Sequence, residues 1–231
     1  QWPRGTEQVT IMMLGRGDHL LQDGTGRRGG VVIEVGRRAS TAAVLELLAH
    51  ELFHVVNGHL LVHTPEAELD TLWFKEGLTT YAALRSMMDA GLADESWLRQ
   101  RLGELVTHYF ENPGSMKWTL ERQVKRYWSD AAAQRLPYDK GALLALVIDA
   151  RLGRGDDGAL ATMRWLRRLL VETAARGEAY ELETLRSALV AEGLQDAARA
   201  RGFWSRYVLG AEVLPIKRAL AQMGWALKSE T

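Results

Sequence analysis

Residues 41–56 read Thr-Ala-Ala-Val-Leu-Glu-Leu-Leu-Ala-His-Glu-Leu-Phe-His-Val-Val, helical in pattern and apolar almost all round, yet interrupted by His50, Glu51 and His54. A helix with that distribution is expected to be buried. Three polar side chains inside it cost several kcal/mol unless they are paired or metal-bound. In a helix His50 and His54 stand one turn plus about 40° apart, about 6 Å along the axis. Both imidazoles then project from one face and can reach one small cation, each at roughly 2.0–2.1 Å. Glu51 falls beside that pair, where a carboxylate can take a proton from water activated by the cation. Ser40 and Thr41, just before the segment, are good N-cap residues.

Composition narrows what such a helix can belong to. The 231 residues suffice for one large domain or two small ones. Lys+Arg and Asp+Glu are both 29, so no global charge favours nucleic acid or a membrane surface. Cysteine is absent, which excludes disulfides, thiolate ligands and a Cys nucleophile. Any zinc must be held by His, Asp or Glu. Zero Cys fits a reducing or an oxidising compartment, so localisation stays open. The central apolar run Gly141–Ile148 is too short to span a bilayer. The chain begins at Gln1 and shows no signal peptide, so a mature or excised piece of a longer protein is expected.

Along the chain, Val9–Leu14 and Val31–Val35 read as strands of a small sheet, separated by a Gly-, Asp- and Arg-rich loop, Gly15–Gly30. Val31–Val35 is either a core strand or an edge strand able to pair with an extended peptide. Helices are expected from 42 onward, then near 66–90 (opened by Pro65 and ending at Gly91), 94–111, 119–135, 138–152, 157–176, 181–192, 195–208 and 215–223. The fold class is α+β, mostly α. A β portion spans 1–40, a zinc-binding helical portion 41–152, and a C-terminal helical portion 153–231.

Two His need a third protein ligand. A third His in the pattern His-Glu-x-x-His-x-x-Gly-x-x-His would require Gly at 57 and His at 60, where the chain has Asn57 and Leu60. Gly58 and His59 are each off by one, and a one-residue slip turns a helical side chain by about 100°. The other source is an acid on a following helix. Glu76 lies in Trp73-Phe74-Lys75-Glu76-Gly77-Leu78-Thr79-Thr80-Tyr81, with 21 residues between it and His54. That gap allows a turn at Thr64-Pro65 and an antiparallel return. An acid in such apolar surroundings is a ligand, an ion-pair partner, or part of a polar stripe with Lys75.

His-Glu-Leu-Phe-His-x-x-Asn followed by Trp-Phe-x-Glu-Gly-x-Thr-x-Tyr resembles the glycyl aminopeptidases, gluzincin metallopeptidases related distantly to the aminopeptidase N family. Tyr138-Asp139-Lys140-Gly141-Ala142 is similar to a Tyr-x-Lys-Gly-Ala segment of both families. Phe203–Gly210, Leu214-Pro215 and Met223-Gly224-Trp225 resemble the close of the family's helical region. The resemblance implies a thermolysin-like gluzincin region in which His50, His54 and Glu76 bind zinc, Glu51 is the general base and Tyr138 donates to the developing oxyanion. It implies a peptide or protein substrate, and an N-terminal β-domain and a PDZ-like domain in a full-length protein.

The family's upstream Gly-rich motif carries a carboxylate for the substrate's α-amino group. The matching stretch here, Gly24–Gly30, holds Arg27 and Arg28 instead, and the nearest acid is Glu34. Aminopeptidase specificity is therefore less well supported than peptide-bond hydrolysis. A non-catalytic scaffold or peptide-binding module keeping the fold is the alternative. His59 and His63 read as surface or loop-satisfied, His19 and His108 lack a partner pattern, and Arg164, Arg167 and Arg168 read as a solvated face. Asn57, Thr79 and Thr80 are candidates for orienting the ligands.

Overall fold

Three short strands precede the first helix: β1 (Thr10–Gly15), β2 (Gln22–Arg27) and β3 (Gly30–Val35), in the order β1-β3-β2. The structure is a computed structural model that describes residues 9–15, 17, 22–27, 29–193 and 201–226, with the backbone only at Gln22 and Arg27. β1 runs parallel to β3, and β2 pairs with β3 antiparallel through a tight turn in which Gly29 takes φ +84°. Two strands match the expected runs. The third was hidden in the expected loop, because glycine is depleted from strands and its pattern reads as a turn.

β3 is the central strand, so Val31–Val35 is not an edge open to a peptide. Its buried Val31 and Ile33 face α1 and require the cover that two neighbouring strands and a helix supply.

Helix α1 (Thr41–Phe53) starts where expected, with Ser40 Oγ accepting from Ala43 N at 3.2 Å. It packs on β2, β3 and α2 (Thr79–Asp89). The expectation of an all-round buried helix is corrected. Its apolar residues are only half-buried, and the buried residue of α1 is Glu51.

The helix expected near 66–90 is broken. Pro65 opens a single 3-10 turn (Pro65–Ala67), and the helical part resumes as a π turn (Trp73–Leu78) that runs straight into α2. Gly91, at φ +67°, ends it as expected. Then come α3 (Glu95–Glu111), α4 (Leu120–Arg126), α5 (Ala131–Leu152), α6 (Ala161–Glu172), α7 (Leu182–Ala191), a further π segment (Trp204–Val208) and α8 (Ile216–Gln222). The helix expected over 195–208 lies in part outside the described residues.

The expected break at Pro137 is also corrected: α5 runs through it. Proline cannot donate to the carbonyl four residues back. Gln123 Nε2 donates to that carbonyl, Ala133 O, at 3.4 Å, and Asn112 Nδ2 donates to Ala132 O at 2.9 Å. The break falls instead at 127–130, where Asp130 caps α5 through Ala132 N.

The chain divides into two compact units, one of Gln1–Leu60 with Thr79–Gly103, the other of Leu61–Leu78 with Glu104–Thr231. The first builds the sheet against α1, with α2 on the same helix. The second is organised on α5, whose Leu143, Leu144 and Leu146 are buried, and on the aromatic rings of Trp73, Phe74, Trp165, Tyr180 and Trp204. The class is α+β, mostly α. Among the described residues no helix is long and apolar enough to cross a membrane.

Candidate metal centre

His50 projects from the last turn of α1 and His54 from its C-cap, with their Nε2 atoms 3.1 Å apart. Two bonds of 2.0–2.1 Å from one tetrahedral ion would hold two nitrogens about 3.3 Å apart, so this spacing fits a shared ion as well as it fits an N–H···N hydrogen bond.

The far side of each ring is held. His54 Nδ1 lies 3.1 Å from Asn57 O. A carbonyl only accepts, so Nδ1 donates, and in the neutral ring this leaves the lone pair on Nε2. Asn57 can offer that carbonyl because the chain leaves helical geometry there, at φ −93° and ψ 69°. His50 Nδ1 faces Thr80 Oγ1 at 3.5 Å. Asn57 Nδ2 donates to Thr79 Oγ1 at 3.2 Å, and both residues are fully buried. Asn57 therefore bonds His54 directly, Thr80 faces His50, and Thr79 bonds the side chain of Asn57, an arrangement that outer partners of metal-ligating imidazoles also make.

Glu51 is 6% exposed, packed against the glycines of β2. Glu76 is buried within the π turn, one helical turn before Thr80 in the uninterrupted stretch Trp73–Asp89. A π turn is a frequent feature of functional sites. His50, His54 and Glu76 each offer one ligand atom, all within 4.8 Å of one another. The donor set, two imidazoles and a carboxylate in a largely buried place, fits a divalent ion with a fourth position open.

Within the second unit the neighbours of Glu76 explain the Lys-Gly-Ala segment. A β-carbon on Gly141 would strike Trp73 O, and one on Gly77 would strike Gly141 itself. The two glycines let the π turn and α5 touch backbone to backbone. Tyr138, half-buried, lies one turn before Gly141 on α5. Lys140, on the next position before Gly141, is buried and donates from Nζ to Gly210 O at 3.0 Å. Burial pulls its ammonium down to about 8.

Tyr127 was missed in the sequence. Burial, then the charges of Glu76 and Glu68, push its phenol above the ordinary range, which sets it in the electrostatic reach of Glu76. No motif marked it: it falls inside the unbroken helix expected near 119–135, whereas it caps the end of α4.

The residues given less weight find structural partners. His59 Nε2 donates to Gly26 O at 2.8 Å and His63 Nδ1 donates to Thr64 O at 2.9 Å. His108 sits beside Arg135 and Asp139. Arg164 and Arg168 pair with Glu192, and Arg167 pairs with Asp157. His19 and Arg28 lie outside the described residues, and of Arg27 only the strand backbone is described. Glu34 pairs in register with Asp23, and both belong to the sheet face opposite the one Gly24 turns to α1.

Residues 43–144 match the sequence model of the M61 glycyl aminopeptidase family, and the resemblance read from the motifs is thereby shown. The crystal structure of an aminopeptidase N family protein from Idiomarina loihiensis is similar over 94% of this chain, with a TM-score of 0.77 and 21% identity. The likeness to it is one of fold, and this chain spans 41% of that protein's length. No curated protein sequence matches.

Proposed function

We propose that this chain is the catalytic region of a zinc-dependent peptidase, with His50, His54 and Glu76 as the protein ligands. The observation that carries the reading is the convergence of one imidazole nitrogen from each His, 3.1 Å apart, with Glu76 in the same cluster. The M61 match supports peptide bonds as the substrate class. Zinc, when bound, supplies a Lewis acid that brings the pKa of a water towards ~7 and polarises a carbonyl.

The chain's own groups do the rest. Glu51 accepts a proton from the attacking water and returns it to the leaving nitrogen. Its burial suits a base that must work on a reacting centre out of bulk solvent. The Tyr138 hydroxyl donates to the oxyanion that develops on the substrate carbonyl, a charge present only in the transition state. The Asn57 carbonyl holds His54 in the tautomer that leaves Nε2 for the metal.

Peptide-bond hydrolysis is supported further than release of N-terminal residues. Side chains alternate along β2, so Gly24 and Gly26 face α1 while Asp23 and Thr25 face away. The α1-facing side of β2 from 23 to 26 therefore carries no carboxylate to hold an α-amino group. The test is a mixed peptide library digested with and without chelator, with product masses recorded. Chelator-sensitive cleavage is expected. No cleavage by zinc-loaded protein would assign the chain a scaffold or binding role, and ladders shortened only from the N-terminus would restore aminopeptidase specificity.

A further inference from the structure

Gly24 and Gly26 lie in the extended strand β2, and neither adopts the positive φ that calls for glycine. Any residue fits that backbone, and glycine weakens a strand. What glycine permits here is close approach. A β-carbon on Gly24 would stand 2.6 Å from Glu51 Cγ and 2.8 Å from both Cδ and Oε1. One on Gly26 would stand 2.5 Å from the Glu51 carbonyl oxygen and 2.8 Å from His54 Cβ. Thr25, between them, turns the other way and is exposed.

We propose that Gly24 and Gly26 are positioning residues of the hydrolytic site. The bare α-carbon of Gly24 is the seat against which the Glu51 carboxyl rests. Gly26 sets the distance between β2 and the turn of α1 that carries His54. A side chain at 24 displaces the general base and leaves the metal ligands in place. A side chain at 26 presses on the backbone of Glu51 and on His54, and so reaches the metal pair. The assignment rests on the reading of Glu51 as the base, but the seat itself is a packing claim that is judged without turnover.

The experiment uses Gly24→Ala, Gly26→Ala, Glu51→Ala and Gly24→Ala/Glu51→Ala, first as metal-free protein. Overpacking at 24 is expected to lower Tm by about 2–10 °C. In the double variant, where the Glu51 side chain beyond Cβ is gone, that loss should vanish against Glu51→Ala alone. Zinc titration against a competing chelator should leave Gly24→Ala within about twofold of wild type and weaken Gly26→Ala at least about tenfold. With zinc, Gly24→Ala should lose about tenfold or more in kcat with KM little changed. An equal loss of Tm at position 24 in both backgrounds, or none in either, overturns the seat. If Gly24→Ala fails to fold and the double variant fails too, the seat is likewise wrong. If wild type cleaves nothing while the Tm coupling holds, the functional reading falls and the packing assignment stands.

Discussion

At the scale of single residues, the roles proposed for Glu51, His54 and Tyr138 separate cleanly because each touches a different step. Glu51→Gln keeps shape and hydrogen bonding but cannot take a proton. Metal content should be unchanged and the rate of chelator-sensitive cleavage should fall about 10²–10⁴-fold. His54→Ala removes one of the three proposed protein ligands. Metal measured after dialysis should drop below stoichiometric and activity should go with it. Tyr138→Phe should retain metal and lose about 10²–10³ in kcat. An unchanged kcat there would shift attention to Tyr127, a phenol that feels the charge of Glu76. The motif residues themselves were legible in the sequence, since His50, Glu51 and His54 follow from helical spacing alone. The groups that orient them were only partly so. Asn57 acts on His54 through its backbone carbonyl, which every residue possesses, and a side-chain pattern cannot reveal it.

At the scale of elements, α5 depends on side chains borrowed from elsewhere in its unit. Gln123 donates to the carbonyl that Pro137 leaves without its helical N–H. Gln123→Leu should cost about 1–3 kcal/mol of stability by urea unfolding, because a buried carbonyl then goes unpaired. The same helix carries Lys140, whose pKa falls from 10.5 unfolded to about 8 folded. Between those values the unfolded chain holds the proton and the folded chain does not, so stability rises with pH. Lys140 therefore disfavours folding most fully below pH 8, and the penalty is relieved as pH climbs towards 10.5. Wild type should gain up to about 3 kcal/mol over that window relative to Lys140→Met. Parallel pH series of denaturant midpoints measure the difference. The break expected at Pro137 was a sound inference from the proline alone. What reversed it was a pair of amides, Asn112 and Gln123, 25 and 14 positions away in the chain.

At the scale of the whole molecule, the proposed ligands His54 and Glu76 are separated by 21 residues of chain, so on this proposal metal binding and folding are linked. Zinc at about 100 times its Kd should add about 2.7 kcal/mol to unfolding free energy. Tm should rise with free zinc and fall again on chelation, and His54→Ala should abolish the response. A flat Tm across the titration would remove the shared ion. The chain spans 41% of the length of a structurally similar protein.

By itself the sequence determined the helical turn that carries His50 and Glu51, the absence of any thiolate ligand, the order of a small sheet before a long helical portion, and the resemblance to the glycyl aminopeptidases that the match over 43–144 bears out. Helical periodicity and residue chemistry are local, and one chain displays them in full. Only the tertiary structure decided that β3 lies in the middle of its sheet, that Gln22–Arg27 is a strand rather than a loop, and that α1 is half-buried with its glutamate as its buried residue. Those outcomes depend on what packs against what. A glycine read along the chain signals freedom to turn, and only its neighbour Glu51 shows that Gly24 is there for lack of room.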